Sequence, residues 1–148
     1  MKIVLGLLLA CLTSNSALSQ PSALSVESGN YSEMCKEEWT KIGVLNKQMF
    51  NYCVKLQRDG NAKLAHLLQT YKDFDWLDAA LRASIDQWSK SGSRNDSQIA
   101  YELNLEITEY RDMQFRKTHA GFDGSKYIKC ENQFKPKYQL VAYCYKNM

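Results

Sequence analysis

The sequence predicts an all-α protein, a small bundle of about five to seven helices stapled by two disulfides. Apolar residues recur at three- and four-residue intervals along most of the chain, which is the spacing of one helical face. Four of the five cysteines fall into two segments of similar layout, and a hydrophobic leader precedes both. Because such a leader directs export to an oxidising compartment, we expect these four cysteines to be bridged.

Residues 1–19 are predicted to be a signal peptide. Ile3 to Leu12 is an apolar run too short to span a bilayer, and residues 17–19 supply the small side chains that a leader peptidase recognises. We expect cleavage before Gln20 and a periplasmic or secreted protein without a transmembrane segment. The sequence ending at Cys11 also resembles a bacterial lipobox, so a lipid-anchored structural protein of the envelope is an alternative.

Residues 20–31 are small and polar and include Pro and Gly, which predicts a flexible arm before a single helical domain at residues 32–148. Ser32 offers an N-cap for a short helix that extends to Lys41. Apolar residues at helical spacing predict a second helix from Val44 to Arg58. Asp59-Gly60 is predicted to end it, with Asn61 capping the next helix.

Two further helices are indicated by apolar stripes. The first stripe is Leu64, Leu67, Leu68 and Tyr71, and the second, in a helix starting at Asp73 or Asp75, is Leu77, Leu81, Ile85 and Trp88. Residues 89–97 contain four Ser together with a Gly, an Asn and an Asp, which predicts a loop.

The next segment has two interpretations. Between Ile99 and Ile107 apolar and polar residues alternate, which is the period of a half-buried strand. The same segment also shows helical spacing and continues to Arg116 without Gly or Pro, longer than a typical strand. Since the chain offers no convincing partner strand, we predict a helix and keep the strand as the alternative.

The last part of the chain predicts a turn-rich loop followed by two short helices. Residues 118–124 form the loop. Ser125 can cap a helix carrying Cys130, and Pro136 suits the first turn of a final helix carrying Cys144.

The two cysteine segments suggest how the bridges pair. Each has an aromatic residue four positions after its first cysteine and a Tyr-Cys step at its end. Four cysteines allow three connectivities, which sequence alone does not decide. The repeated spacing favours Cys35 with Cys53 and Cys130 with Cys144.

The first segment and the residues after it show the pattern Cys-x3-Trp…Met-x2-Tyr-Cys-x3-Gln, formed by Cys35, Trp39, Met49, Tyr52, Cys53 and Gln57. This pattern resembles one in small exported bacterial proteins of unknown function. The resemblance covers about a third of the predicted mature chain and implies an exported bacterial domain with a bridge inside each segment, without implying an activity. The second segment departs from the pattern, with Phe134 in place of Trp and Leu140 in place of Met.

Charge is uneven along the chain, and the basic end points to binding. From Arg111 to Met148 there are eight Lys or Arg against three acidic residues. With the aromatic residues nearby, this predicts an exported non-enzymatic binding module: an inhibitor, immunity factor or envelope accessory protein. Its partner would be an unknown protein or an anionic envelope component, and the predicted binding residues are Lys126, Lys129, Lys135, Lys137, Tyr138 and Tyr145. A net charge of only +3 and the lack of a binding motif argue against nucleic acid.

One alternative is a small hydrolase or metal-dependent enzyme that uses His119 and nearby carboxylates such as Asp123. We predict no catalytic residue, metal ligand or cofactor for the favoured interpretation. The cysteines lack Cys-x-x-Cys spacing, and neither a Gly-x-Ser-x-Gly nor a phosphate-binding glycine motif occurs.

Overall fold

The computed structural model describes residues 31–90 and 93–148. Within them lie the helices α1 (Tyr31–Glu38), α2 (Lys47–Thr70), α3 (Leu77–Trp88), α4 (Asp96–Arg116), α5 (Gly124–Phe134) and α6 (Tyr138–Asn147). Two short hairpins complete the fold: β1 (Thr40–Lys41) pairs with β2 (Val44–Leu45), and β3 (Ser89–Lys90) pairs with β4 (Ser93–Arg94), both antiparallel. The predicted small all-α bundle is therefore confirmed.

Several predicted boundaries differ from the structure. The predicted signal peptide and all but the last residue of the predicted arm lie outside the described residues, and Tyr31 already belongs to α1. The prediction that the first helix reaches Lys41 is wrong, because α1 ends at Glu38 and the chain enters the β1–β2 hairpin. No helix in the described part of the chain is long and apolar enough to span a membrane.

Helix α2 runs without interruption, so the predicted break at Asp59-Gly60 is wrong. Gly60 is helical and buried, and a Cβ placed on it would lie 2.5 Å from the backbone N and Cα of Ser97 in α4. A glycine inside a helix costs about 1 kcal/mol relative to alanine. At this position it permits a close approach of two helices that no other residue would allow.

Helices α2 and α4 run side by side in the same direction. Gln57 contacts Ser97 near the start of this pairing, and Arg111 donates to the Tyr71 hydroxyl at 3.2 Å further along both helices. Between these contacts lies the apolar core, to which α3, α5 and α6 add their buried faces. Its largest members are Leu64, Trp76, Leu77, Leu81, Ile99, Leu103, Met113, Tyr127, Tyr138 and Val141.

The segment with two sequence interpretations is helix α4, as predicted, and α2 holds its N-terminus. Asn95 is the N-cap and accepts from the Gln98 N–H at 3.2 Å. Gln57, only 4% exposed, accepts from the Ser97 N–H at 3.2 Å and donates to the Asn95 side chain at 3.0 Å. The Gln of the Cys-x3-Gln pattern therefore caps another helix of the fold.

Both predicted disulfides are present. Cys35 is bridged to Cys53 and Cys130 to Cys144, with Cα–Cα distances of 5.7 and 5.8 Å. The first bridge joins α1 to α2 around the β1–β2 hairpin, and the second joins the antiparallel pair α5 and α6. The local pairing that the repeated spacing favours is confirmed.

The N-termini of the last two helices are held differently from what the sequence predicts. Asp123, rather than Ser125, caps α5 by accepting from the Lys126 N–H at 3.0 Å. In α6, which begins after Pro136, the Glu106 carboxylate accepts from the Gln139 N–H and side-chain amide, both at 3.0 Å. A residue of α4 therefore supplies the cap that Lys137, at the N-cap position of α6, does not provide.

The Glu106 contact predicts a pH dependence of stability. Glu106 is 4% exposed, and burial raises its pKa. A carboxyl whose pKa is higher in the folded than in the unfolded state contributes stability at pH values below its unfolded pKa, and this contribution is lost as pH rises through the folded pKa. The unfolding free energy should therefore decline as pH rises from about 4, the ordinary pKa of an unfolded glutamate, toward the higher pKa of folded Glu106, and we expect Glu106→Gln to reduce this decline. Urea titrations across this range measure it, and identical pH profiles for the two proteins would contradict it.

Candidate functional site

A shallow pocket of about 290 Å³ opens where α4 ends. Its walls are Arg116 from α4, residues 119–122 from the loop after α4, and Tyr145 from α6. Lys117 and Lys126 stand over tyrosine rings of the same end of the bundle. We call the pocket and these two lysines the basic pocket.

Local hydrogen bonds give the loop of this pocket its shape. The Thr118 hydroxyl donates to the Phe115 carbonyl at 2.7 Å, and His119 Nδ1 lies 3.0 Å from the same oxygen, so the loop satisfies a carbonyl at the end of α4. Gly121 has φ +88°, a left-handed conformation that suits glycine and lets the chain reverse toward α5. The Asp123 N–H donates to the Tyr145 hydroxyl at 2.9 Å, which fixes the loop to α6.

Phe122 and Tyr145 line the pocket, and Tyr145 and the buried Tyr127 carry its two lysines. Phe122 stacks on Tyr145 with the ring centroids 5.0 Å apart. Lys126 Nζ lies 5.1 Å from the centroid of Tyr145, and Lys117 Nζ lies 3.9 Å from the centroid of Tyr127. Both distances suit a cation–π contact, which holds an ammonium group in place without neutralising it.

The charge of this surface is only partly balanced. Arg116 pairs with Asp112 at 2.8 Å, and the two side chains are 46% and 41% exposed. Within the described residues neither Lys117 nor Lys126 forms an ion pair. Asp123, the carboxylate nearest to Lys126 in sequence, accepts from a backbone N–H at the N-terminus of α5. Asp112, the nearest to Lys117, pairs with Arg116. The arrangement therefore presents positive charge beside flat aromatic surface, which is suited to an anionic group.

His119 lies in the wall of this pocket with an exposed ring that packs against Phe115, the centroids 4.4 Å apart. Its Nδ1 is satisfied by the Phe115 carbonyl, which leaves Nε2 as the nitrogen able to meet a ligand. The lining residues in the described chain include no carboxylate. Among residues 31–90 and 93–148 no group of three or more His, Cys, Asp or Glu is placed to hold a metal ion.

The structure separates the six predicted binding residues. Lys126 and Tyr145 meet in the basic pocket. Lys135 lies nine residues beyond Lys126, about 13 Å along α5, where its Nζ pairs with Asp75 at 2.8 Å. Lys129 is exposed on α5 between them, and Lys137 is half-buried at the start of α6. The predicted lysines therefore do not form one continuous patch.

Tyr138 requires a correction. It is 1% exposed and lies in an aromatic cluster, with ring centroids 4.7 Å from both Trp76 and Tyr110. Its hydroxyl donates to Glu131 Oε1 at 2.9 Å, and burial, together with this carboxylate, raises the pKa of Tyr138. Because the side chain is enclosed, Tyr138 belongs to the core and not to the surface that a partner could touch.

Sequence reasoning did not identify three residues of the site: Arg116, Lys117 and Phe122. The return of α6 to the end of α4 brings Arg116 and Phe122 to Tyr145, and Lys117 lies over Tyr127 of α5. The sequence does contain a signal for this site: two adjacent basic residues end a predicted helix, and a glycine-bearing loop with an aromatic residue follows them.

No protein-family model, curated protein or solved structure matches this chain. Its function is therefore inferred from the chemistry of the site.

Proposed function

We propose that the protein is an exported, non-enzymatic binding module that holds an acidic segment of a protein partner at its basic pocket. The observation that carries this proposal is the placing of Lys117 and Lys126 over aromatic rings, without an ion pair in the described part of the chain, beside Arg116. An inhibitor, an immunity factor or an envelope accessory protein would each act by holding a partner protein in this way.

The chemistry of the pocket suits carboxylates. Arginine offers several N–H donors in a planar arrangement that matches a carboxylate, and Arg116 uses its Nε on Asp112. The stacked rings of Phe122 and Tyr145 supply rigid contact area that loses little conformational entropy on binding. An acidic segment with an apolar neighbour would use both parts of the site.

Export is supported by the two disulfides together with the apolar leader in the sequence, since bridges persist in oxidising compartments. Lipidation at Cys11 is the alternative form of the same exported protein. The intact mass of protein recovered from its host separates the two forms, because cleavage before Gln20 removes residues 1–19 and acylation adds the mass of lipid chains.

Reversal of charge tests the pocket. We expect Lys117→Glu with Lys126→Glu to weaken binding of poly-L-glutamate by about tenfold or more, equivalent to about 1.4 kcal/mol. Lys36→Glu with Lys63→Glu is the matched control, since both side chains are exposed on α1 and α2 and the net charge changes equally. Calorimetric titration at low salt measures both pairs, and an equal loss of affinity would show a general charge effect and refute the pocket.

A further inference from the structure

The β1–β2 hairpin presents two aliphatic side chains to solvent at its tip. Ile42 is 102% exposed and Val44 is 71% exposed. The turn between the strands consists of Ile42 and Gly43, with φ values of +51° and +76°. The Cys35–Cys53 bridge closes the segment that contains the hairpin and holds its base against α2.

Ile42, at the first turn position, is an unusual residue both for its backbone conformation and for its exposure to solvent. A two-residue hairpin turn with two positive φ angles favours Asn-Gly, because asparagine tolerates the left-handed region. A β-branched residue is disfavoured there, and an isoleucine that is fully exposed gains nothing from burial. Strain of this kind at an exposed apolar position is a reason to look for a binding role.

We propose that this hairpin inserts Ile42 and Val44 into the surface of an anionic lipid bilayer. Behind the tip, Trp39, Lys41, Val44 and Asn46 line a groove of about 450 Å³. Apolar side chains at the tip, followed by a tryptophan and lysines, match the order in which a bilayer changes from acyl chains to headgroups.

Charge on the hairpin favours anionic headgroups. Residues 40–47 contain Lys41 and Lys47 and no acidic residue. The glutamates at the end of α1, Glu37 and Glu38, line a groove with Lys90 and Ser93, and Glu38 also borders Trp39 on the side that faces the start of α4. Lysines close to an anionic membrane strengthen its attachment.

The size of the tip favours a membrane over a protein as its partner. A stable protein interface buries about 800 Å² on each side, far more than two aliphatic side chains present. Shallow insertion into a bilayer requires only an apolar tip and nearby cations.

The hairpin and the basic pocket can be occupied together. Trp39 lies near Asn95, Ser97 and Gln98 at the beginning of α4, whereas the basic pocket is at its end. A helix of 21 residues is about 31 Å long. This proposal is therefore independent of the proposed acidic partner.

Vesicle binding tests the hairpin. We expect the chain from Gln20 onward, the form left by the predicted cleavage, to bind vesicles containing one quarter phosphatidylglycerol more tightly than pure phosphatidylcholine vesicles. Ile42→Asn should weaken this binding by about tenfold, since it removes the inserted aliphatic side chain. Lys41→Gln and Lys47→Gln should each weaken it about fivefold. Ile128→Asn, which alters an exposed isoleucine of α5, is the matched control and should leave binding unchanged.

Two further measurements keep the result specific to the hairpin. Ile42→Asn should raise the melting temperature, because asparagine relieves the backbone strain. Weaker vesicle binding by this variant could then not be attributed to a loss of folding. Brominated lipid chains should quench Trp39 fluorescence in a Trp88→Phe background, where the remaining tryptophan, Trp76, is buried. Any of three results would overturn the proposal: Trp39 fluorescence that is not quenched, equal vesicle binding by the wild type and Ile42→Asn, or no preference for anionic vesicles. Absence of quenching would point to a protein pocket as the partner of the hairpin.

Discussion

Replacement of Gly60 by alanine is expected to lower the free energy of unfolding by about 2 kcal/mol or more, although alanine is the better helix former. The added Cβ would lie 2.5 Å from both N and Cα of Ser97 and 2.8 Å from the Asp96 carbonyl carbon. These are backbone atoms of α4, which cannot rotate away as a flexible side chain can. Relief therefore requires α2 and α4 to separate.

That separation would disturb a buried polar network. Asp96 is fully buried, pairs with Arg94 and accepts from the Asn61 amide at 2.9 Å. Gln57 bonds to Asn95 and Ser97 in the same place. Moving α4 leaves some of these groups desolvated without a partner, which adds to the steric cost.

Gly124→Ala is the matched control for Gly60→Ala. Gly124 is also helical, but nothing lies within 4 Å of the Cβ it would carry. We expect this variant to be stabilised by about 0.5 to 1 kcal/mol. Urea denaturation of the two variants and the wild type measures the difference. If both alanines stabilise the protein equally, the tight approach of α2 to α4 is wrong.

The helix break predicted at Gly60 was wrong because the local sequence has two possible meanings. Asp-Gly-Asn has the composition of a helix end followed by a new cap, and the same glycine equally permits another helix to approach. Only the contact with residues 96–97, far away in the chain, distinguishes the two cases. In contrast, α4 and both bridges depend on periodicity and local spacing, so the sequence predicted them correctly.

The candidate site was predicted only in part for the same physical reason. Lys126 and Tyr145 were identified from charge and residue type, and they do meet. Their neighbours Arg116 and Phe122 come from other elements, and no local pattern encodes that proximity. Tyr138 was misplaced because amphipathicity in a ten-residue helix does not reveal which tyrosine faces the core. The acidic partner and export remain predictions.

Removal of the first bridge is the other change for which we expect a large effect. Cys35→Ala with Cys53→Ala should lower the free energy of unfolding by about 3 kcal/mol, because the bridge limits the entropy of the unfolded chain. It should also release one part of the fold. Cys35 is the one buried residue of α1, and a helix of eight residues is far too short to be stable alone.

The second bridge provides the comparison. Cys130 belongs to the central core, and α5 and α6 bury Tyr127, Tyr138 and Val141 around it, so Cys130→Ala with Cys144→Ala should destabilise the molecule as a whole. Hydrogen exchange followed by mass spectrometry distinguishes the two responses.

Amides of α1 and the β1–β2 hairpin should lose protection from exchange only when the first bridge is absent. In that variant the amides of α2 to α6 should keep their protection. Vesicle binding should then weaken while poly-L-glutamate binding persists, since the basic pocket lies beyond the released part. Full protection of α1 without its bridge would show that packing, rather than the disulfide, holds the hairpin in place.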